Sequence, residues 1–173
     1  MSLLERFKKV KVFAFDVDGV LTNGSLYLME SGEQVRAMNI KDGYALQLAV
    51  KKGYHIIIIS GSYSEPVIAR LKKLGVHDVF MRVENKTAIL EEFISGKKIT
   101  REEVLYMGDD IPDLDIMNYS GLATCPVDAV DDIKEISSYI SRFKGGEGCV
   151  RDVIEKVLKL NHHWDMASAI KSI

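Results

Sequence analysis

Apolar residues fall along this chain in two kinds of run. The first kind is short and nearly unbroken: Val10, Val12, Phe13, Ala14 and Phe15; His55 with the isoleucines at 56–59; residues 77–80, 104–107 and 121–124. Runs this short, rich in β-branched and aromatic residues, predict strands, the first two buried on both faces. The second kind is periodic and predicts helices. Tyr44/Leu48 and Leu46/Val50 stand four apart in a helix over 42–52 ended by Gly53. Ser64 can cap a helix with Pro66 in its first turn, carrying Val67, Ile68, Leu71 and Leu74 inward and stopping at Gly75. Further helices are expected over 85–95, with Ala88, Ile89 and Phe93 inward, over 114–118, and at the C-terminus, where Val150, Val153, Ile154, Val157 and Leu158 form one stripe. Residues 25–29 and 34–38 flank a turn at Ser31-Gly32 and read as a β-hairpin. A lone ribbon is only marginally stable, so it leans on the body or on another subunit.

Strands alternating with helices imply parallel β-α units. The expected fold is therefore α/β, a Rossmann-like doubly wound parallel sheet with a hairpin flap over about 25–38, no cap domain, and a C-terminal helix and tail over about 149–173. One domain over 1–173 suffices for a chain of 173 residues. Hydrophobic content of 47%, charged content of 28% and a formal net charge of −2 give no basic face for nucleic acid. No stretch approaches the ~20 apolar residues of a membrane span. Two cysteines, Cys125 and Cys149, make no disulfide framework, which points to a reducing cytoplasm. Four histidines show no metal-ligand spacing, and His162-His163-Trp164 reads as a packing or surface feature of the tail.

The chemistry gathers at predicted strand ends. Asp16 and Asp18 close the first strand, and Gly19 lets the chain turn away. Two carboxylates this close repel unless a positive charge lies between them, and a hard cation such as Mg²⁺ takes oxygen ligands while leaving room for a substrate phosphate. Ser60 and the Gly61 amide follow the second buried strand and can donate to a phosphate oxygen. Lys86 opens a helix, adding its ammonium to the positive end of the dipole. Asp109, Asp110 and Asp113 follow the fourth strand. Taken singly, each could be a helix cap, a solvated lysine or helix N-terminal charge. A parallel sheet would gather all of them at its carboxyl edge.

With these residues in order, the chain resembles the haloacid dehalogenase superfamily, and within it the small capless 3-deoxy-D-manno-octulosonate 8-phosphate phosphatases. The likeness rests on the 16–22 run DVDGVLT, the hairpin, Asn39-Ile40-Lys41-Asp42-Gly43-Tyr44, Arg70, Asn85-Lys86, Gly108-Asp109-Asp110 and the late GGEGCVRD run at 145–152. It implies Asp16 as the nucleophile, Asp18 as acid and then base, and Mg²⁺ held by Asp16, the backbone carbonyl of Asp18 and Asp109. Ser60 and Lys86 would stabilise the phosphoryl oxygens. Asn39, Ile40, Lys41, Asp42, Gly43, Gly61, Arg70 and Arg151 match substrate-binding positions. Members often carry arginine where this chain has Gln47 and Ser62. The resemblance further implies a homotetramer in which Arg151, approached through a flexible 145–148 run, reaches a neighbour's site. The substrate would be a small sugar-acid phosphate, with a nine-carbon nonulosonate 9-phosphate as the alternative. A non-catalytic phosphoaspartate receiver domain is a more distant reading, disfavoured because Asp16 and Asp18 share the first strand.

Overall fold

The computed structural model describes residues 1–165. In chain order the elements are α1 (Leu3–Lys9), β1 (Val12–Phe15), the hairpin strands β2 (Tyr27–Leu28) and β3 (Gln34–Val35), α2 (Ile40–Lys51), β4 (His55–Ile59), α3 (Glu65–Lys73), β5 (Asp78–Phe80), α4 (Lys86–Gly96), β6 (Val104–Met107), α5 (Leu114–Tyr119), β7 (Leu122–Cys125), α6 (Asp131–Ile136), β8 (Tyr139–Ile140) and α7 (Cys149–Leu160). Six strands pair in parallel in the order β5-β4-β1-β6-β7-β8. From β1 the chain builds outward to β4 and β5, then returns to the other side for β6, β7 and β8. The carboxyl end of β1 therefore lies at the switch point where such sheets bind ligands.

The unbroken apolar runs form strands because both faces of the sheet are covered. Phe13 and Phe15 point into one core layer with Leu46, Leu71, Val153 and Val157 from α2, α3 and α7. Val12 and Ala14 point the other way, onto Leu90, Ile94, Ile116 and Ile133 from α4, α5 and α6. This is the period-two alternation of a strand between two helical layers. The five-residue stripe expected of the C-terminal helix is wholly buried in α7. Among the described residues no helix is long and apolar enough to cross a membrane.

Several expectations shift. Helix α2 begins two residues earlier than its apolar period suggests, because the Asn39 side chain accepts from the Lys41 amide and caps it. Ser64 stands at the N-cap of α3 but makes no side-chain cap bond. Ile89 and Phe93 pack against the core as expected, but the buried positions of α4 are Lys86, Leu90 and Ile94, and Ala88 is exposed; a stripe drawn from apolar residues alone cannot include a buried lysine. The hairpin strands are only two residues long. Leu26, Tyr27, Leu28, Met29 and Val35 are exposed, Leu28 at 75%, while Met38 packs on the body and bridges back to Thr22. Elements α1, α6 and β8 lie outside the expected set. Of the tail, Trp164 packs edge-on to Tyr44 and His163 meets the Tyr54 hydroxyl at 2.9 Å; the tail beyond residue 165 lies outside the described residues.

The glycines before α7 are tightly packed, not a flexible lead. A Cβ on Gly145 would stand 1.9 Å from the Gly19 carbonyl oxygen, and one on Gly146 2.5 Å from the Asn23 amide nitrogen. The loop presses its backbone against the turn that follows Asp18, with the Gly146 amide donating to Val20 at 2.9 Å. Only glycine permits that approach.

Asp42 joins α2 to α7. Its side chain is almost wholly buried, and Oδ1 accepts from the Arg151 amide at 2.8 Å in the first turn of α7. Gly148, the N-cap residue of α7, has no side chain to do this itself. Burial pushes Asp42 up to about 6 despite the opposing Arg151 and Gly148 amides. We predict that Asp42→Ala costs about 0.5–2 kcal/mol in urea unfolding, the usual range for a lost cap, and that Asp42→Asn, which keeps the acceptor, costs less. A raised carboxyl pKa means that the wild type loses stability as pH rises through about 6. Asp42→Asn should therefore gain on the wild type between pH 5 and pH 7, and a constant difference across that range would contradict the assignment.

Candidate active site

Asp16 closes β1, and the chain then turns through one tight coil, residues 17–21, with Gly19 at φ +88°. The sign of φ and the space both demand glycine there, since a Cβ would stand 1.9 Å from Asp109 Oδ2. Thr22 Oγ accepts from the Gly19 and Gly24 amides at 3.3 and 3.2 Å and closes the loop. Asp109 comes to the same edge from the loop after β6, Ser60 from the end of β4, and Lys86 from the first residue of α4.

Lys86 is the centre of the charge arrangement. Its side chain is only 7% exposed, and Nζ stands 3.0 Å from Asp16 Oδ1 and 2.7 Å from Asp113 Oδ1. Asp113, also buried, accepts from the Tyr106 hydroxyl at 2.7 Å through Oδ1 and from the Asp109 amide at 3.2 Å through Oδ2. It thereby fixes both the lysine and the Asp109 loop. Burial disfavours the charged form of Lys86, but Asp16 and Asp113 together hold its pKa above the ordinary value. The carboxylates respond in the opposite sense. Burial, reinforced by Asp113, pushes Asp16 up to about 7, and burial with Asp16 and Asp113 does the same to Asp109.

Asp18 faces a different set of partners. Arg36, from the base of the hairpin, donates Nε to Oδ1 at 2.7 Å and Nη2 to Oδ2 at 3.2 Å. Ser62 Oγ donates to Oδ2 at 2.8 Å. Burial alone would raise Asp18, but the Arg36 and Ser62 bonds outweigh it and hold the carboxyl below its usual range. Ser60 Oγ lies 3.0 Å from Ser62 Oγ. Since the Ser62 proton goes to Asp18, Ser60 is the donor between the two hydroxyls. Ser62, expected only as the loss of an arginine, thus belongs to the Asp18 network.

These side chains line a cleft of about 350 Å³ that also holds Gly61. Six of its residues carry carboxylates (Asp16, Asp18, Glu84, Asp109, Asp110 and Asp113) against the single ammonium of Lys86. One oxygen each of Asp16, Asp109 and Asp113 lies within 4.8 Å of the others. With both Asp113 oxygens engaged, Asp16 and Asp109 are the carboxylates free to turn to a cation, and the Asp18 carboxylate is committed to Arg36 and Ser62. An all-oxygen donor set with surplus negative charge fits Mg²⁺.

The remaining candidates lie elsewhere in the chain. Asn39, Ile40 and Lys41 border a second cleft with Gly146, where Asn39 Nδ2 donates to the Gly146 carbonyl at 3.2 Å. Asp42 is turned to α7, and Gly43 lies against the Arg70 guanidinium, which lines a groove between the hairpin and α3. Arg151 donates to Glu155 at 3.1 Å and stacks over Tyr44 and Trp164. None of these lines the Asp16 cleft. Sequence reasoning placed Asp113 in the acidic cluster without a role and passed over Tyr106 and Arg36. The spacing of Asp113 to Asp109 within one loop was a usable signal, whereas nothing in the hairpin pattern singled out Arg36.

A doubly wound sheet with an aspartate pair on the first strand, a serine, a lysine and a late aspartate at its carboxyl edge, and no separate cap domain, defines a phosphatase of the haloacid dehalogenase type. No family model matches the chain. The 3-deoxy-D-manno-octulosonate 8-phosphate phosphatase KdsC of Escherichia coli K12 is 30% identical over 166 residues, 96% of this chain and 88% of that one. The chain therefore belongs to the 3-deoxy-D-manno-octulosonate 8-phosphate phosphatase family. The family enzyme from Moraxella catarrhalis, solved with magnesium ion, phosphate ion and KDO, superposes with a TM-score of 0.88 at 31% identity, covering 91% of this chain and 90% of that one. The cobalt-bound Haemophilus influenzae enzyme gives 0.86 at 25% identity over 91% and 92%. The receiver-domain reading is set aside by this membership.

A cation between Asp16 and Asp109 must displace the protons these carboxyls hold below about pH 7. Their raised values mean that the metal-free fold loses stability as pH climbs through that range, as Mg²⁺ binding gains. We expect thermal melts to show a larger Mg²⁺-dependent stabilisation at pH 8 than at pH 6, approaching about 2.7 kcal/mol at a hundredfold excess over Kd. Equal increments at the two pH values would count against a site at these carboxylates.

Proposed function

We propose that this protein hydrolyses the phosphate monoester of a keto-deoxy sugar acid, 3-deoxy-D-manno-octulosonate 8-phosphate, through an aspartyl-phosphate on Asp16. The observation that carries the reading is the charge arrangement of the cleft: a buried lysine against Asp16, ringed by carboxylates that would repel a phosphate unless a cation joined them. Family membership and the ligands of the Moraxella catarrhalis enzyme support the substrate and the metal.

In this mechanism the Asp16 carboxylate attacks phosphorus, and the bond from phosphorus to the sugar oxygen breaks as Asp18, which must first leave Arg36 and Ser62 and take up a proton, delivers that proton to the sugar oxygen. Asp18 then takes a proton from the water that attacks the aspartyl-phosphate, releasing phosphate and restoring Asp16. Lys86 and Ser60 hold the phosphoryl oxygens, the interaction that lowers the barrier most in such transfers. Asp113 keeps Lys86 directed at Asp16. Asp16, Asp109 and the Asp18 carbonyl would hold Mg²⁺, which when bound neutralises phosphate charge and aligns the ester.

The exposed apolar hairpin is the basis for a second part of the reading, a homotetramer whose sites are completed between subunits. Leu26, Tyr27, Leu28, Met29 and Val35 are exposed, and Asn39, Ile40, Lys41 and Arg151 lie outside the Asp16 cleft, where a neighbour's substrate could meet them. The free, buried Cys125 and Cys149 support a reducing, cytoplasmic setting.

Asp16→Asn should abolish phosphate release while leaving the fold intact, because an amide fills the same space but cannot act as the nucleophile. Turnover near wild type would exclude the covalent route. Lys86→Ala should lower kcat/KM by about 10²–10³, as loss of one transition-state donor does; a fall under about threefold would remove Lys86 from the chemistry. Phosphate release from eight- and nine-carbon keto-acid phosphates, with Mg²⁺ or excess chelator, tests substrate and metal together. Sedimentation at micromolar protein tests the assembly, and a fully active monomer would refute shared sites.

A further inference from the structure

Arg36 stands one residue beyond β3, between Val35 and Ala37, both exposed. A hairpin arginine in that position would ordinarily extend into water. Instead its side chain is only 4% exposed and its planar fork closes on both oxygens of Asp18. With Ser62 also donating to Oδ2, both Asp18 oxygens are engaged, and these are the oxygens that must face the leaving sugar oxygen.

The pair also divides two cavities. Asp18 and Ser62 line the reaction cleft, whereas Arg36 lines the groove of about 640 Å³ between the hairpin and α3. Arg70, Met38, Pro66 and Val67 line that groove with it, and Glu33 and Glu65 are its acidic members. Asp18 lines the cleft and its partner Arg36 lines the groove, so a phosphate ester seated on Asp16 that reaches into the groove passes this pair. Parting a covered ion pair leaves two charges unmatched. A ligand carboxylate can re-pair the guanidinium with the same two-pronged geometry, and a neutral sugar cannot.

We propose that Arg36 is a substrate-sensing latch. It releases Asp18 when the carboxylate of a phosphorylated sugar acid, lying in the groove between the hairpin and α3, takes its guanidinium. The inference rests on the reaction assigned above. Selection for a sugar acid is then made at the residue that frees Asp18, not only by affinity at a distance. Arg36 acts as a positioning residue toward Asp18 and a binding residue toward the carboxylate.

The test is kcat/KM for the full-length enzyme with Mg²⁺ on two matched pairs: 3-deoxy-D-manno-octulosonate 8-phosphate against arabinose 5-phosphate, and 6-phosphogluconate against glucose 6-phosphate. Wild type should favour the carboxylated member of each pair. Arg36→Gln should shrink that preference by at least about tenfold, and Arg36→Lys, with charge but no fork, should restore part of it. Thermal melts establish that both variants fold. A purely structural role would lower both members of a pair together, so an unchanged ratio overturns the latch, as does a wild type without preference in either pair. A wild type that prefers 6-phosphogluconate but leaves the octulosonate ester untouched overturns the assigned substrate while the latch stands.

Discussion

The site depends on one arrangement: a buried ammonium held between two buried carboxylates. Lys86 could not be taken out of water without Asp16 and Asp113, whose carboxylates hold its charge under the sheet edge. Removing Lys86 would leave two buried aspartates facing each other with no cation between them. The local sequence follows from this. Tyr106 places a hydroxyl within an otherwise aliphatic strand because Asp113 needs a second donor. Asn85 caps α4 so that its first residue, the lysine, enters the core.

The backbone around this cluster is shaped by close approach. Gly19 admits Asp109, and Gly145 and Gly146 admit the loop after Asp18. A methyl group at any of them would separate Asp16 from Asp109 or lift the loop that follows Asp18. The 145–148 run therefore determines the shape of the reaction loop from the opposite end of the chain. Asp42, from α2, fixes the first turn of the helix that follows that run. Residues matching the family's substrate positions thus have clear structural tasks within one chain, which is compatible with their meeting substrate only across an assembly.

The central strands β1, β4 and β6 were legible because both their faces are buried, which an unbroken apolar run satisfies. Asp16, Ser60 and Asp109 were legible because parallel topology carries every such run to the same edge. What escaped the pattern did so for identifiable reasons. The inward face of α4 begins with a charged residue, so an apolar count caught Ile89 and Phe93 but took Ala88 in place of Lys86. The short elements β8, α6 and α1 carry too few apolar positions to stand out from the segments around them. A glycine run looks the same whether glycine is needed for freedom or for contact, and only the neighbouring backbone at 19–23 distinguishes them. Arg36 sits in an exposed ribbon where a solvated arginine is the ordinary outcome, and its inward turn is a tertiary fact.

The hairpin joins the two halves of this architecture. One part of it carries exposed apolar residues, while Arg36 at its base reaches inward to the aspartate proposed to handle the leaving group. The ribbon is too short and too exposed to hold its position through its own pairing. The Thr22–Met38 bridge and the Arg36–Asp18 pair anchor it on the catalytic side, while Tyr27 and Leu28 on the other are exposed. Any contact that shifts the outer face therefore acts through a short lever on the geometry of Asp18. In a phosphatase without a cap domain, such a lever can link assembly and substrate recognition to the chemistry of the cleft.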